Sequence, residues 1–314
     1  MARPLRIEYP GAFYHVTTRG NEQKEIFKSQ RDREQFLSYL ESATERYGAV
    51  IHAYCLMTNH YHLMLETPQG NLSQIMKHIN CSYTTYFNVK RKRAGHLLQG
   101  RFKAILVEAD SYATELTRYI HLNPVRAKIV ETPEAYPWMS YRCYTEGVAP
   151  SWLTTGFILG YFGRKATTAR ENYRHFVHEL IEREYSSPLQ GTIASTILGS
   201  AEFVSEIQER HLRSRKADRD LPALRELNEK PSLHEIMKVV SEVFAENDRQ
   251  AKKAGIYLCH RYSGAKLKEI GELFRLTESG VTRASKRFDE VMERDKALKK
   301  KMVEIRRKLK LSNA

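Results

Sequence analysis

His60-Tyr61-His62 opens an apolar run, and Tyr119-Ile120-His121-Leu122-Asn123-Pro124 follows well downstream. On a strand, His60 and His62 point to one face, because side chains alternate with period two. On a helix, Tyr119 and Asn123 stand on one face, four residues apart. Two imidazoles, an amide oxygen and a phenol can thus meet at one point, as a one-cation site beside a tyrosine nucleophile. A phenol has a pKa of roughly 10 and is a weak nucleophile at neutral pH. A phosphodiester is further shielded by its own charge. A divalent cation answers the second problem by polarising a non-bridging oxygen and orienting the phosphorus. His60, His62 and Asn123 would supply three ligands and leave positions open. Mixed nitrogen and oxygen donors without thiolate suit Mg2+ or Mn2+, and the imidazoles favour Mn2+. Attack by Tyr119 would leave a 5′-phosphotyrosine and a free 3′-hydroxyl, so resealing needs no ATP.

Charge points to the same substrate. The 314 residues carry a net charge of +14. Residues 1–150 hold 19 Lys/Arg against 14 Asp/Glu, residues 151–244 hold 13 of each, and residues 245–314 hold 19 against 10. A basic end beyond a neutral middle suggests a polyanion partner. Cys55, Cys81, Cys143 and Cys259 are scattered, which argues against a disulfide framework and a thiolate zinc site. No apolar run reaches membrane-spanning length and no signal-peptide core opens the chain, so a cytoplasmic setting is expected and no membrane partner.

The elements that must position these residues follow from periodicity. Residues 12–18 read as a strand ended by the turn Arg19-Gly20-Asn21. Phe36, Leu37, Leu40, Ala43 and Tyr47 mark a helix over 31–47, with Gly48 placed to end it. Residues 50–57 and 60–66 read as strands joined by Thr58-Asn59. Leu72 through Phe87 carries one apolar helical face that includes Tyr83 and Tyr86, and Lys90–Arg93 reads as its solvated, dipole-matched end. Residues 102–109 form a further strand. Asp110 or Ser111 is expected to cap a helix that runs to about Leu122 and is ended by Pro124. The order is that of an α+β, ferredoxin-like split βαβ fold: a four-stranded antiparallel sheet with the first and third strands central, and the tyrosine helix added across the exposed face. Residues 131–150 read as irregular and 151–225 as helical. From Pro231 a third unit begins. Its segments Leu267–Phe274 and Glu278–Phe288, broken at Arg275–Thr277, fit a helix-turn-helix. A basic helix spans Lys296–Lys310.

Five ordered tracts now carry a resemblance: Tyr14-His-Val-Thr-Thr-Arg-Gly-Asn21, Met57-Thr-Asn-His-Tyr-His-Leu63, Gly95-His-Leu-Leu-Gln-Gly-Arg-Phe-Lys103, Tyr119-Ile-His-Leu-Asn-Pro-Val125 and Tyr136-Pro-Trp-Met-Ser-Tyr141. With them, residues 1–147 resemble the single-tyrosine HUH transposases, specifically the REP-associated tyrosine transposases of bacteria. The resemblance implies His60 and His62 as paired metal ligands, Asn123 as the third, and Tyr119 as the nucleophile. It implies cleavage and joining of single-stranded DNA beside palindromes that fold into hairpins, with Arg19, Arg101 and Lys103 in tracts expected to meet DNA. It also implies a cytoplasmic, nucleoid-associated protein, as monomer or homodimer.

Residues 230–314 resemble the C-terminal DNA-binding domain of the replication initiator DnaA, through Leu258-Cys-His-Arg, Leu267–Phe274 and Val281-Thr-Arg-Ala-Ser-Lys-Arg287. That implies contacts to flanking duplex DNA from Thr277, Ser279, Thr282, Arg283, Lys286 and Arg287. Glu278-Ser279 stand where that family usually has an Asp-His pair, so generic duplex binding is implied rather than the initiator's own site. Residues 148–229 would be a helical accessory segment. The leading reading is a metal-dependent DNA transposase. The alternative is a non-catalytic, sequence-specific transcriptional regulator on the same fold. A third reading is an RNA binder that stacks bases on Tyr14 and Tyr61.

Overall fold

A computed structural model describes residues 5–181, 183, 187–212, 231–245, 247–263 and 265–309. Strands β1 (Ala12–Arg19), β2 (Val50–Leu56), β3 (His60–Thr67) and β4 (Lys103–Val107) pair antiparallel in the order β2-β3-β1-β4. This places β1 and β3 in the middle, as the element order predicts. Thr17 lies opposite His62, and Arg19 opposite His60. Alternation then divides the side chains. Tyr14, Val16, Tyr61 and Leu63 face one side, while His15, Thr17, Arg19, His60 and His62 face the other.

Helices α1 (Gln30–Tyr47) and α2 (Leu72–Lys90) cover the first side. The Phe36 ring lies 4.7 Å from that of Tyr61 and 5.2 Å from that of Tyr83. Ser29 and Asp32 form a capping box at the start of α1, and Gly48 ends it with a left-handed φ of 62°. Asp32 is buried and also receives Lys90 Nζ at 2.9 Å and Arg91. Burial alone would raise its carboxyl, but these cations hold it well below the usual range. Lys90 and Arg91 of the run Lys90–Arg93 therefore pair with a buried carboxylate, Lys90 from an exposed position.

Helix α3 (Ala109–Arg126) covers the second side, where Leu116 and Ile120 pack with Ala53, Cys55 and Met64. Its ends differ from expectation. Glu108 is the N-cap and no side chain caps it, because β4 stops one residue earlier and leaves no room for a capping turn at Asp110 or Ser111. At the other end the helix runs through Pro124 to Arg126. Proline forfeits only its own N–H, and Ala127 N–H on Asn123 O (2.9 Å) and Ile129 N–H on Pro124 O (3.0 Å) close the turn beyond it.

Later segments seal both sheet edges. β5 (Ile197–Leu198) runs parallel to β4, a fifth strand too short to leave a periodic signature in the sequence. On the β2 edge, Leu56 N–H donates to Trp138 O (2.8 Å) and Tyr136 Oη to Leu56 O (2.7 Å). Bare edges of this kind are otherwise open to other chains. The stretch expected to be irregular holds α4 (Tyr141–Thr145), and α5 (Gly156–Leu159) and α6 (Ala166–His178) follow. Tyr144, Ile158, Tyr173 and Val177 join the core beneath α3. Residues through Gly199 form one compact unit.

The second unit begins at Ser200. It comprises α7 (Ala201–Ile207), α8 (Leu233–Val243), α9 (Asp248–Tyr262), α10 (Leu267–Phe274), α11 (Glu278–Arg294) and α12 (Lys296–Lys308). Ile236, Leu258, Ile270, Val281 and Ile305 lie in one core. Three residues join α10 to α11. Arg275 there is left-handed (φ 54°), and Leu276 N–H reaches Gly271 O at 2.9 Å. A Cβ on Gly271 would stand 2.5 Å from Leu276 O, so only glycine admits this turn. The expected boundary at 229–230 and Lys310 lie outside the described residues. Among the described residues, no helix is long and apolar enough to cross a membrane.

Candidate active site

The site grows from the hairpin that joins β2 to β3. Its tip is clasped by the loop after β1: Gly20 N–H donates to Asn59 O (2.8 Å), and Ile26 and Phe27 N–H to Thr58 O (3.0 and 3.1 Å). The next tract closes on the same loop, with Asn21 N–H on Leu97 O and Gln99 N–H on Arg19 O, both 2.9 Å. A Cβ on Gly20 would meet Lys24 O at 2.0 Å. That is why the turn needs glycine although its φ is ordinary. Three separated sequence tracts thus converge where β3 starts.

The imidazoles stand at that start. His60 Nδ1 lies 2.7 Å from Asn59 Oδ1, and Asn59 Nδ2 donates to Gln23 O at 3.0 Å. With the amide so oriented, Oδ1 can only accept, so His60 carries its proton on Nδ1 and keeps a lone pair on Nε2. His62 Nδ1 lies 3.0 Å from Nε2 of His15, a β1 residue that is 1% exposed. Both candidate ligands are therefore held at Nδ1, which leaves Nε2 of each for a cation. The His60 and His62 rings are 5.1 Å apart.

Tyr119 arrives from α3. Its ring centroid lies 5.8 Å from that of His62 and 6.0 Å from that of His15, edge-on to both. One turn along the same face, Asn123 Nδ2 donates to Tyr119 O (2.8 Å), which points Oδ1 away from the helix. The Arg126 guanidinium sits 5.4 Å over the Tyr119 ring. Helix α3 is fixed by a buried polar chain: His121 Nδ1 with Tyr173 Oη (2.6 Å), His121 Nε2 with Ser140 Oγ (2.7 Å), and Tyr54 N–H on Ser140 Oγ (3.0 Å).

Burial, reinforced by Arg19, lowers His60 to about 4, and burial with His15, His60 and Arg19 nearby holds His62 well below its ordinary value. Both rings are neutral at physiological pH, as a ligand must be. Among the described residues, no three His, Cys, Asp or Glu side chains gather to hold a metal. The donor set that fits is two imidazole Nε2 atoms with the Asn123 amide oxygen, suited to a borderline-hard divalent ion.

Arg19 is exposed on this same face, directly across from His60, and Lys103 is exposed opposite Thr17 on the neighbouring strand. Arg101 is exposed close enough to Arg6 to lower its guanidinium slightly, after burial and against Glu8. In the second unit Ser279, Thr282, Arg283 and Lys286 share one exposed face of α11, with Arg287 exposed beside them. The Thr277 hydroxyl is spent as the helix cap, accepting from Gly280 N–H at 3.1 Å. Tyr14 and Tyr61 are buried under α1 and α2, and their hydroxyls bond Ile7 O and Asn80 Oδ1. They offer no stacking platform, because helices cover both faces of the sheet. The sequence reading passed over His15, Asn59 and Arg126. His15 alternates in register with Thr17 and Arg19, the one signal that marked its face.

Residues 9–123 match the family described as IS200-like transposases. A solved structure of the REP-associated tyrosine transposase bound to a REP hairpin aligns with 49% of this chain and 92% of its own, at 17% identity and a TM-score of 0.42. No curated protein matches. The transposase match takes in β1 through Asn123, and so includes every residue of the candidate site except Arg126.

Proposed function

We propose that the chain is a metal-dependent single-strand DNA endonuclease and strand transferase, with Tyr119 as nucleophile and His60, His62 and Asn123 as the cation's ligands. The observation that carries this reading is the Tyr119 ring 5.8 Å from a His62 whose only free nitrogen is Nε2. Bound there, Mg2+ or Mn2+ would polarise a non-bridging phosphate oxygen. The Tyr119 Oη attacks phosphorus in line as its proton leaves to solvent. The P–O3′ bond breaks, the leaving 3′-oxygen takes a proton from solvent to become the 3′-hydroxyl, and a 5′-phosphotyrosine remains. Arg126 offers positive charge beside the phenol, and Arg19 and Lys103 offer it to the phosphates along the same face.

Residues 1–147 would be the catalytic part, completed by the packing of 148–199 onto its core. The family tracts favour hairpins of REP-like palindromes as the single-stranded substrate, and the nucleoid as the place of work. The face of α11 with Ser279, Thr282, Arg283, Lys286 and Arg287 would hold flanking duplex. The test is a denaturing gel of labelled hairpin DNA from the gene's own flank, with wild type and Tyr119→Phe, under Mn2+, Mg2+ or chelator. A cation-dependent covalent adduct in wild type alone is expected. Duplex binding without adduct under any cation would favour the regulator instead.

A further inference from the structure

His15 is the buried group that the chemistry above leaves unused. It is an imidazole at the centre of a sheet, 1% exposed, with its ring within 10° of the His62 ring plane. Only one of its two nitrogens has a partner: Nε2 meets His62 Nδ1 at 3.0 Å, and Nδ1 is buried with none. An apolar side chain would remove the orphaned Nδ1 but would strip the buried His62 Nδ1 of its partner, so the contact to His62 rather than packing is what calls for a histidine here.

A neutral imidazole has one N–H and one lone pair, and one proton lies between the two rings. Two arrangements satisfy the contact. In the first, His15 Nε2–H donates to His62 Nδ1, and the His62 proton sits on Nε2, where a cation would have to bind. In the second, His62 Nδ1–H donates to His15 Nε2, His62 Nε2 is a lone pair, and the His15 proton moves to its orphaned Nδ1. Only the second permits ligation. It also makes His62 the match of His60, whose Nδ1–H is fixed on Asn59 Oδ1. Ligating histidines ordinarily donate their second N–H to a carboxylate, a carbonyl or water. Here an imidazole takes that place.

We propose that His15 is a positioning residue of the cation site: it accepts the His62 Nδ1 proton, fixes the ring, and so selects the tautomer whose Nε2 is free for the ion. This rests on the reading of His60 and His62 as ligands. The role carries a signature that a structural residue lacks. Removing the imidazole takes one orphaned atom away, His15 Nδ1, and leaves another, His62 Nδ1, so the two changes offset in the fold while the ion loses an oriented ligand.

The experiment titrates Mn2+ into the full chain without DNA, follows free Mn2+ by its electron paramagnetic resonance signal, and records Tm by circular dichroism. Wild type is expected to bind one ion, and His62→Ala to lose it, which checks the ligand reading separately. His15→Leu, close in volume, should weaken Mn2+ by 10–100-fold with Tm little changed. His15→Gln can offer its amide oxygen to His62 Nδ1–H and should recover most of the affinity. If His15→Leu binds Mn2+ as tightly as wild type while His62→Ala does not, the positioning role is wrong and the ligand reading stands. A drop in Tm with equal loss of affinity in both His15 variants makes His15 structural and also overturns the proposal. If His62→Ala leaves Mn2+ binding intact, the ligand reading fails and the role of His15 falls with it.

Discussion

Side chains that leave their stronger nitrogen or oxygen unspent define the candidate site. His60 and His62 are both engaged at Nδ1, and Asn123 is engaged through Nδ2, so Nε2 of each ring and the Asn123 Oδ1 are left without a bond in these contacts. Arg126 sets a guanidinium 5.4 Å over the Tyr119 ring. A tyrosine that attacks phosphate develops negative charge that a guanidinium at this place would offset, and the guanidinium can also meet the phosphate itself. Arg126→Ala is expected to slow covalent adduct formation by about tenfold, on the scale of one electrostatic contact of roughly 1–2 kcal/mol. Arg126→Lys should retain part of the rate. Quench-flow with saturating hairpin DNA reads the rate apart from affinity, and an unchanged rate in Arg126→Ala would remove the residue from the chemistry. These residues differed in how legible they were. His60, His62, Tyr119 and Asn123 announced themselves by period-two and period-four spacing within short tracts. His15 and Arg126 did not, because each acts across a contact that spacing does not encode.

Among the elements, α3 carries the proposed nucleophile, Tyr119, and its placement depends on a polar chain through a protein core. His121 bonds at both nitrogens, and Ser140 Oγ serves His121 and the Tyr54 amide together. Ser140→Ala leaves His121 Nε2 and the Tyr54 N–H without that partner in an apolar surround. The expected loss is about 2–4 kcal/mol of unfolding free energy, readable by denaturant titration. A loss within experimental error would mean that water replaces the hydroxyl. At the other pole, Gly20→Ala pushes a methyl into Lys24 O and should displace the loop that clasps the hairpin tip. Adduct formation should fall at least tenfold, with the chain still folded, since the sheet and its two helix layers do not depend on that loop. The strands and long helices were readable from apolar periodicity, and so was the central place of β1 and β3. The reading failed where tertiary contacts overrode local preference. Pro124 stays helical because later amides close the turn around it, β5 exists only through β4, and residues 136–140 are ordered as the cover of the β2 edge rather than by any pattern of their own.

Over the whole molecule, two terms act that no single element shows. The first is proton linkage. Burial pushes His121 down to about 3 and His52 down to about 4. In the unfolded chain both titrate near 6.5, so below that pH the unfolded state takes up protons that the folded state refuses. Their contribution to stability is complete above pH 6.5 and is lost as pH falls toward 4, at up to ~1.4 kcal/mol per pH unit for each histidine. Tm should therefore fall steeply between pH 6.5 and 4.5, and a flat profile there would show that these rings take up protons within the fold. The second term is the uneven charge, with the last 70 residues holding 19 cations against 10 anions. If the exposed face of α11 holds duplex DNA, its cations displace condensed counterions, and the slope of log K against log salt counts them at about 0.9 per phosphate contact. Arg283 and Lys286 stand on that face, exposed and within one turn of each other. The double substitution Arg283→Ala with Lys286→Ala should make the slope shallower by roughly 2 and weaken duplex binding accordingly. Because the proposed tyrosine chemistry lies in the first unit, the same variant should form adduct on a short single-stranded hairpin at the wild-type rate. A shallower slope with normal adduct formation would assign the two kinds of DNA to the two units. An unchanged slope would return the C-terminal charge to the role of a solvated surface.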